Sequence, residues 1–314
     1  MIELDTIYNE DCLTGMQRIP DGSVDCIICD LPYGTMKGLS SALKGWNDST
    51  VAWDDIIPTD QLFEQYERVL RMNGVAVLFS QEPYTSHLRT YQYRNTNFEF
   101  CYPLMWKKDR FGNNLMANKA PVSFFEDINV FAKRYDTSGH HPLRDYFANV
   151  QTFIGKAKRD IINEIGQRAD HVFRGGSMQF ALCTAETYQA LIDAYHIDQM
   201  EGFKSYSELQ AMDARFQRTF NLPEGQKYFG NVLEYAKDSG GVHPTQKPVD
   251  LIRKLVEVYS NPGDTILDNC MGSGTTAIAC MRTKRHFIGF ELNRDYYDIA
   301  LRRIKLEQQQ QTLF

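Results

Sequence analysis

Two stretches of this 314-residue chain carry side chains whose types and spacing suit chemistry on a bound ligand. The first, Asp30-Leu31-Pro32-Tyr33-Gly34, follows the apolar run Val24-Asp25-Cys26-Ile27-Ile28-Cys29. A short β-branched run closed by a proline turn reads as a buried strand, so Asp30 emerges at the strand's carboxyl end, where open α/β sheets keep their chemistry. A carboxylate, a proline-stiffened backbone whose carbonyls point one way and an aromatic ring make a receptor for a flat heterocycle with an amino group. The carboxylate and a carbonyl accept its N–H bonds while the ring stacks on its face.

The second stretch is Asn269-Cys270-Met271-Gly272-Ser273-Gly274-Thr275-Thr276, entered from the strand Thr265-Ile266-Leu267-Asp268. Gly272 and Gly274 let the backbone pass close to a ligand, and exposed N–H groups at the following helix start favour a carboxylate or phosphate. A further strand over residues 286–290 ends in Glu291, 23 positions beyond Asp268, where an acid can accept both hydroxyls of a ribose. Gly272-x-Gly274-x-x-Ala277 also meets the dinucleotide pattern of a nicotinamide dehydrogenase. Fewer than 25 residues follow Glu291, too few for the rest of a dinucleotide half-sheet, and no His or Lys arrangement for hydride transfer stands out. A mononucleoside cofactor fits the chain better.

The elements that must position these loops are legible on either side. Leu62, Phe63, Tyr66, Val69 and Leu70 predict a helical face capped by Asn73-Gly74, followed by a buried strand over 75–79 that ends at Ser80-Gln81. Further strands are expected at 98–106 and 128–132. From about residue 136 the pattern becomes helical: Leu143, Phe147, Val150 and Ile154, then residues 158–165 stopped by Gly166, then 168–173, with Tyr188, Leu191, Ile192 and Tyr195 marking another packed helix. The lobe is expected to close between Gly225 and Gly230. His243-Pro244-Thr245-Gln246-Lys247-Pro248 opens a helix with Leu251, Ile252, Leu255 and Val256 on one face. The fold class is therefore α/β, a doubly wound sheet with a smaller helical lobe: residues 1–135, 136–230 and 231–314.

Hydrophobic and charged contents of 43% and 24% are those of a globular protein. No apolar run approaches the roughly 20 residues of a membrane span, and no signal peptide opens the chain, so a cytoplasmic protein is expected. Seven scattered cysteines argue for reduced thiols; Cys26 and Cys29, three apart in a strand, point to opposite faces. His140, His141 and His243 lack ligand partners at metal spacing, so no metal site is expected. The net charge of -6 does not favour a polyanionic partner on average, but basic residues cluster at Lys107-Lys108-Arg110, Lys133-Arg134 and Lys156-Lys158-Arg159. Any one of these also reads as a solvated face.

Asp30-Leu31-Pro32-Tyr33 resembles motif IV, (Asp/Asn/Ser)-Pro-Pro-(Tyr/Phe), of the DNA amino-methyltransferases, with Leu31 in place of the first proline. His-Pro-Thr-Gln-Lys-Pro, the Asp268 to Thr276 loop and Phe287-Ile288-Gly289-Phe290-Glu291 resemble motifs X, I and II, with Asn269-Cys270 in place of Pro-Phe. The order, catalytic half before cofactor half, is that of the β-class. The resemblance covers both ends of the chain and most of the first 135 residues. It implies a seven-stranded Rossmann-like methyltransferase sheet and S-adenosylmethionine held by Asp11, Cys12, Lys247, Asp268, Met271, Gly272, Ser273, Gly274, Thr275, Glu291 and Asn293. It also implies methyl transfer to an amino group of a base flipped out of double-stranded DNA, with Asp30, Leu31, Pro32 and Tyr33 catalytic and no covalent intermediate. Aspartate at the first position implies adenine N6; cytosine N4 is the alternative. A DNA-binding protein that has lost catalysis, and methylation of RNA or protein, are competing readings that the intact motifs and the large middle lobe disfavour.

Under the same resemblance, Asn118-Lys119 resembles a loop placed beside DNA, and residues 37–49, directly after Tyr33, form a segment that could close over substrate. Helix, glycine turn and helix around Gly166 outline a helix-turn-helix offering Arg168, His171 and Arg174 to DNA; a helical insertion without DNA contact is equally compatible. The sequence does not decide between a monomer and a homodimer of the kind many β-class members form, nor between a restriction partner and none. The tail Gln310-Gln311-Thr312-Leu313-Phe314 reads as a frayed end, and also resembles sliding-clamp peptides in which Gln310, Leu313 and Phe314 make the contact.

Overall fold

A computed structural model describes residues 2–34, 54–93, 98–112, 117–118, 121–133, 141–177, 179–238 and 246–311. Residues 37–49, Lys119, His243 with its two neighbours, and Leu313-Phe314 lie outside the described residues. The chain forms two compact units, Met1–Arg134 with Arg218–Phe314 and, between them, Tyr135–Gln217.

The first unit runs β1 (Thr6–Tyr8), α1 (Cys12–Met16), β2 (Val24–Asp30), α2 (Thr59–Val69), β3 (Leu70–Ser80), α3 (Tyr84–Thr90), β4 (Phe98–Gly112) and β5 (Ser123–Lys133). The second holds α4 (Pro142–Ile154), α5 (Lys158–Ile165), α6 (Ala185–Tyr195) and α7 (Tyr206–Phe216). The first unit then resumes with β6 (Val232–Glu234), α8 (Val249–Tyr259), β7 (Thr265–Asp268), α9 (Thr275–Thr283), β8 (His286–Phe290) and α10 (Arg294–Gln311).

Its strands make one sheet in the order β1-β8-β7-β2-β3-β5-β4-β6. The sheet has eight described strands rather than the expected seven. The addition, β6, pairs in parallel with β4 from Met105↔Val232 to Lys107↔Glu234. Only its central Leu233 is buried, so three residues leave no period-two signal to read in advance. Strands β1, β8, β7, β2 and β3 are mutually parallel, β5 runs antiparallel to them, and β4, antiparallel to β5, runs with them again. The junction of β2 with β7 (Cys26↔Ile266, Ile27↔Leu267) joins the two ends of the chain. Loops following these strands therefore leave the same sheet edge at the point where the topology reverses, the usual ligand crevice of open α/β sheets.

Alternation along β2 sends Cys26 and Ile28 into one core layer and Ile27 and Cys29 into the other. All seven cysteines are free thiols. Helix α2 buries Leu62, Phe63, Tyr66 and Val69 as its spacing predicts. It does not stop at Asn73-Gly74, however. The chain enters β3 at Leu70, and Asn73, with φ 60°, lies in a bulge where pairing with β2 slips between Val24↔Leu70 and Cys26↔Val75. Burial of Leu70 and the 2.9 Å pairing of Arg71 with Asp25 draw the chain into the sheet early.

The second unit has its own core, including Leu143, Phe147, Val150, Ile161, Val172, Tyr188 and Leu191. His141 caps α4 ahead of Pro142, and left-handed Gly155 ends it. The helix expected at 168–173 is instead two three-residue 3₁₀ turns, Gln167–Ala169 and His171–Phe173. The seven residues between Gly166 and Arg174 bury Ala169, Val172 and Phe173, so this stretch packs on the lobe's core and presents no recognition helix. The lobe closes at Gln217, not near 230. Beyond it, Thr219 accepts from Arg71, and the Asn221 side chain donates to the carbonyls of Glu257 and Ser260, anchoring that segment to the first unit. Among the described residues no helix is long and apolar enough to cross a membrane, and no cluster of three His, Cys, Asp or Glu could hold a metal ion.

Candidate active site

Asp30 ends β2 opposite Phe79 of β3. The turn after it is fixed by Asp54, whose Oδ1 accepts from the backbone N–H groups of Tyr33 (3.0 Å) and Gly34 (3.1 Å), the latter at φ 70°. Leu31 is buried and points into the core, while Tyr33 turns its hydroxyl back to donate to Asp30 Oδ1. On the other oxygen, Lys247 Nζ donates to Oδ2 at 2.5 Å. The same ammonium lies 3.1 Å from Glu126 Oε2, and Lys108 contacts Glu126 Oε1. Rings of Phe79, Tyr33 and Trp106 surround Lys247 at 5.3, 5.8 and 6.0 Å.

Burial dominates the electrostatics here. It pushes the Asp30 carboxyl above its ordinary range against the pull of Lys247. For Glu126 burial is outweighed by Lys247 and Lys108, which hold it below its usual range. Burial disfavours the Lys247 ammonium, yet Asp30 and Glu126 together keep it charged beyond its normal range.

A few ångströms along the same edge, the loop after β7 is built by its own carboxylates. Asp268 accepts from Thr276 Oγ1 at 2.5 Å and from Cys270 N–H at 3.1 Å. Glu291, after β8, accepts from Gly272 N–H at 2.8 Å and Asn293 N–H at 2.7 Å. Burial pushes the Asp268 carboxyl up to about 7 and raises that of Glu291. Gly272 and Gly274 sit at φ 54° and 84°, and a Cβ on Gly274 would stand 3.1 Å from the Cβ of Ala300 on α10. Arg303 of the same helix donates to the Ser273 carbonyl at 2.7 Å, and Ser273 Oγ donates to Gln246 at 3.1 Å.

One cavity of about 460 Å³ joins the two loops. Asp11, Cys12, Asp30, Leu31, Pro32, Tyr33, Lys247, Asp268, Met271, Gly272, Ser273, Thr275 and Glu291 all line it. Asp11 also caps α1, accepting from Thr14 N–H at 2.9 Å, and the thiol of Cys12 faces Asn269. Gly274 and Asn293 act from outside the lining: Gly274 starts α9, and Asn293 holds Glu291 through its N–H while its side chain accepts from Asp295 N–H at 2.9 Å. Lys247, expected among the residues that hold the cofactor, lines the cavity but is seated on Asp30 and Glu126, the two buried carboxylates that share its ammonium.

Among the residues proposed for DNA, Asn118 is exposed in a turn and Lys119 lies outside the described residues. Arg168 is exposed, 3.5 Å from Glu186, and His171 Nδ1 lies 3.2 Å from the Gln179 carbonyl. Arg174 is spoken for: with Lys158 it pairs with Asp170, whose carboxyl the two cations hold below its usual range. Sequence inspection missed Asp54 and Glu126, and read Lys108 only as part of a basic cluster or solvated face, whereas it is buried against Glu126. Period-two alternation carries a signal for Glu126 and Lys108, since the inward series Val130-Ile128-Glu126 and Leu104-Trp106-Lys108 both break from apolar to charged at the sheet edge.

The family model for the N6/N4-type DNA methylases matches residues 24–302. DNA adenine methyltransferase YhdJ of Escherichia coli (strain K12) is 26% identical over 310 residues, 96% of this chain and 83% of that protein. The solved M1.HpyAVI–SAM complex superposes with a TM-score of 0.53 at 19% identity, covering 95% of this chain and 98% of that one. The cytosine-N4-specific PvuII DNA methyltransferase gives 0.53 at 13%, covering 94% and 84%. Since the family model's match over residues 24–302 takes in both loops of the cavity and the sheet edge that carries them, this chain belongs to the S-adenosylmethionine-dependent DNA methylases of the N6/N4 family.

Proposed function

We propose that this DNA methyltransferase acts on the N6 amino group of adenine flipped out of duplex DNA. The observation that carries the reading is one cavity in which the Asp30 carboxylate and the Gly272 loop face the same space. For adenine rather than cytosine, the support is the aspartate that leads Asp30-Leu31-Pro32-Tyr33 and the likeness to a relative named as an adenine enzyme. Cytosine N4 is the second reading, favoured by the equal TM-score of the cytosine-N4-specific neighbour.

The lining fits S-adenosylmethionine, a ligand with cationic centres. Glu10, Asp11, Asp268 and Glu291 supply carboxylates, and a Cβ at Gly272 would meet nothing nearer than the Cys270 carbonyl at 3.9 Å, so the loop faces open space. Asp11, Cys12, Met271, Gly272, Ser273, Thr275 and Glu291 would hold it, with Gly274 and Asn293 shaping the loop. When bound, it supplies an electrophilic methyl group on a sulfonium centre.

The chain's own residues do the rest by positioning. Asp30 and the Leu31 carbonyl accept the two N–H bonds of the target amine, drawing its lone pair out of ring conjugation and aiming it. Tyr33 offers its ring face to the base while its hydroxyl keeps Asp30 oriented. A carboxylate raised by burial is also suited to take the proton that the amine sheds. The base must leave the duplex to reach this cavity. Asn118, Lys119, Arg168 and His171 would serve the DNA, with Arg174 first released from Asp170.

Incubation with S-adenosylmethionine and unmethylated genomic DNA, then nucleoside digestion and mass analysis, tests the assignment. N6-methyladenine that disappears in Asp30→Ala is the expected product; N4-methylcytosine would replace the substrate and keep the mechanism. Homodimer formation and clamp docking through Gln310, Leu313 and Phe314 belong to the same reading. Light scattering tests the first. Clamp pulldown before and after deletion of Leu313 and Phe314 tests the second, and unchanged retention would end it.

A further inference from the structure

Lys108, Glu126, Lys247 and Asp30 form a line of alternating charge in the cavity, drawn from β4, β5, the segment before α8 and the end of β2. All but Asp30 are nearly inaccessible. The Lys247 ammonium, 2.5 Å from Asp30 Oδ2, competes with a target N–H for the acceptor capacity of that carboxylate, whose Oδ1 already accepts from Tyr33. It cannot simply leave, because an ammonium this deeply buried requires an anion. Glu126 provides one: its Oε2 is fully buried, already lies 3.1 Å from Nζ and is taken by no other side chain in the ion-pair line, so the ammonium can shift fully onto it. Lys108 on the other oxygen keeps Glu126 ionised and fixed.

We infer that Glu126 is a positioning residue for methyl transfer, receiving the Lys247 ammonium when the target amino group takes its place on Asp30, with Lys108 holding Glu126 ready. Without Glu126, Lys247 has only Asp30 as an anionic partner and blocks the acceptor. The inference rests on the methyltransferase reading above.

The other groups facing this line are the Tyr33 hydroxyl on Asp30, Lys237 toward Lys108, and Asp268 with Cys29 beside the β2 end. None replaces Glu126 as an anion for Lys247. The negative charge of Glu126 also raises the Asp30 carboxyl, so its removal lets Asp30 stay ionised to lower pH.

Single-turnover methylation of duplex DNA across pH, with wild type, Glu126→Gln and Glu126→Asp, tests this. Glu126→Gln should lower the plateau rate roughly 10- to 100-fold with KM for cofactor and DNA within about threefold. Its acid limb should move to lower pH, and Glu126→Asp should restore part of the rate. A merely structural role would lower the rate without moving the limb. Should Glu126→Gln fail to fold because Lys108 is left unpaired, the double variant Lys108→Met with Glu126→Gln removes both charges and should show the same loss with a smaller shift in the same direction. A plateau within twofold of wild type, or an unmoved limb in whichever variant folds, overturns the inference. Absence of methylated DNA with wild type overturns the methyltransferase reading itself, before any comparison of variants.

Discussion

The two halves of the cavity handle buried carboxylates in opposite ways. Around Asp30 the chain supplies its own cations, so the corner is neutralised internally and a ligand must compete for its acceptors. Around Asp268 and Glu291 the partners are backbone N–H groups and one threonine hydroxyl, with no cation among the bonds they make. With no cation beside them, burial raises both carboxyls, and a cationic ligand settling there would draw them back toward the charged form. The same residue type is thus paired with a cation in the corner proposed for the target base and left without one where the cofactor is proposed to sit.

The largest effect should come from breaking the Asp30 side. Asp30→Ala should reduce methyl transfer by about 10³-fold or more, while cofactor affinity measured by calorimetry stays within a few-fold. Equal losses of both would show that the two halves are not separable. Next, Gly274→Val places a side chain at φ 84° and against Ala300, so cofactor affinity should fall roughly 10- to 100-fold with the fold retained by circular dichroism. Unchanged affinity would mean the loop does not hold the cofactor.

The smallest effect concerns stability of the cofactor-free protein. The Asp268 carboxyl titrates near 7 when folded and in the ordinary carboxylate range when unfolded, so the folded state binds its proton more tightly. Its contribution is fully present below the unfolded value and is lost as pH rises toward 7. Asp268→Asn, which keeps an acceptor for Thr276, should therefore be more stable than wild type at pH 8 by about 1–2 kcal/mol, with little difference at pH 4. Urea denaturation at both pH values checks this; a stabilisation that is the same at both would locate the effect elsewhere.

Much of the site was legible because its chemistry is local. A strand that ends in Asp30-Leu31-Pro32-Tyr33 and a glycine loop that ends in a helix declare themselves within ten residues, since backbone direction and φ are set by near neighbours. The helical lobe was legible as helices but not as a helix-turn-helix. Residues 168–173 carry helix-compatible side chains, and only the demand to bury Val172 and Phe173 within the lobe's core broke them into two turns. The same holds for Asn73-Gly74, a fair helix stop by propensity that tertiary pairing of Arg71 with Asp25 turned into a strand bulge.

By itself the sequence singled out the two loops that line the cavity, and their motif resemblance suggested the class of ligand proposed for them, because those features reside in short segments of backbone and a few side chains. Only the tertiary structure decided that Lys247, 217 residues from Asp30, is seated on that carboxylate, and that Glu126 and Lys108 complete the line. Partner choice among buried charges depends on which strands become neighbours and on how little water remains between them, and neither is written in local periodicity.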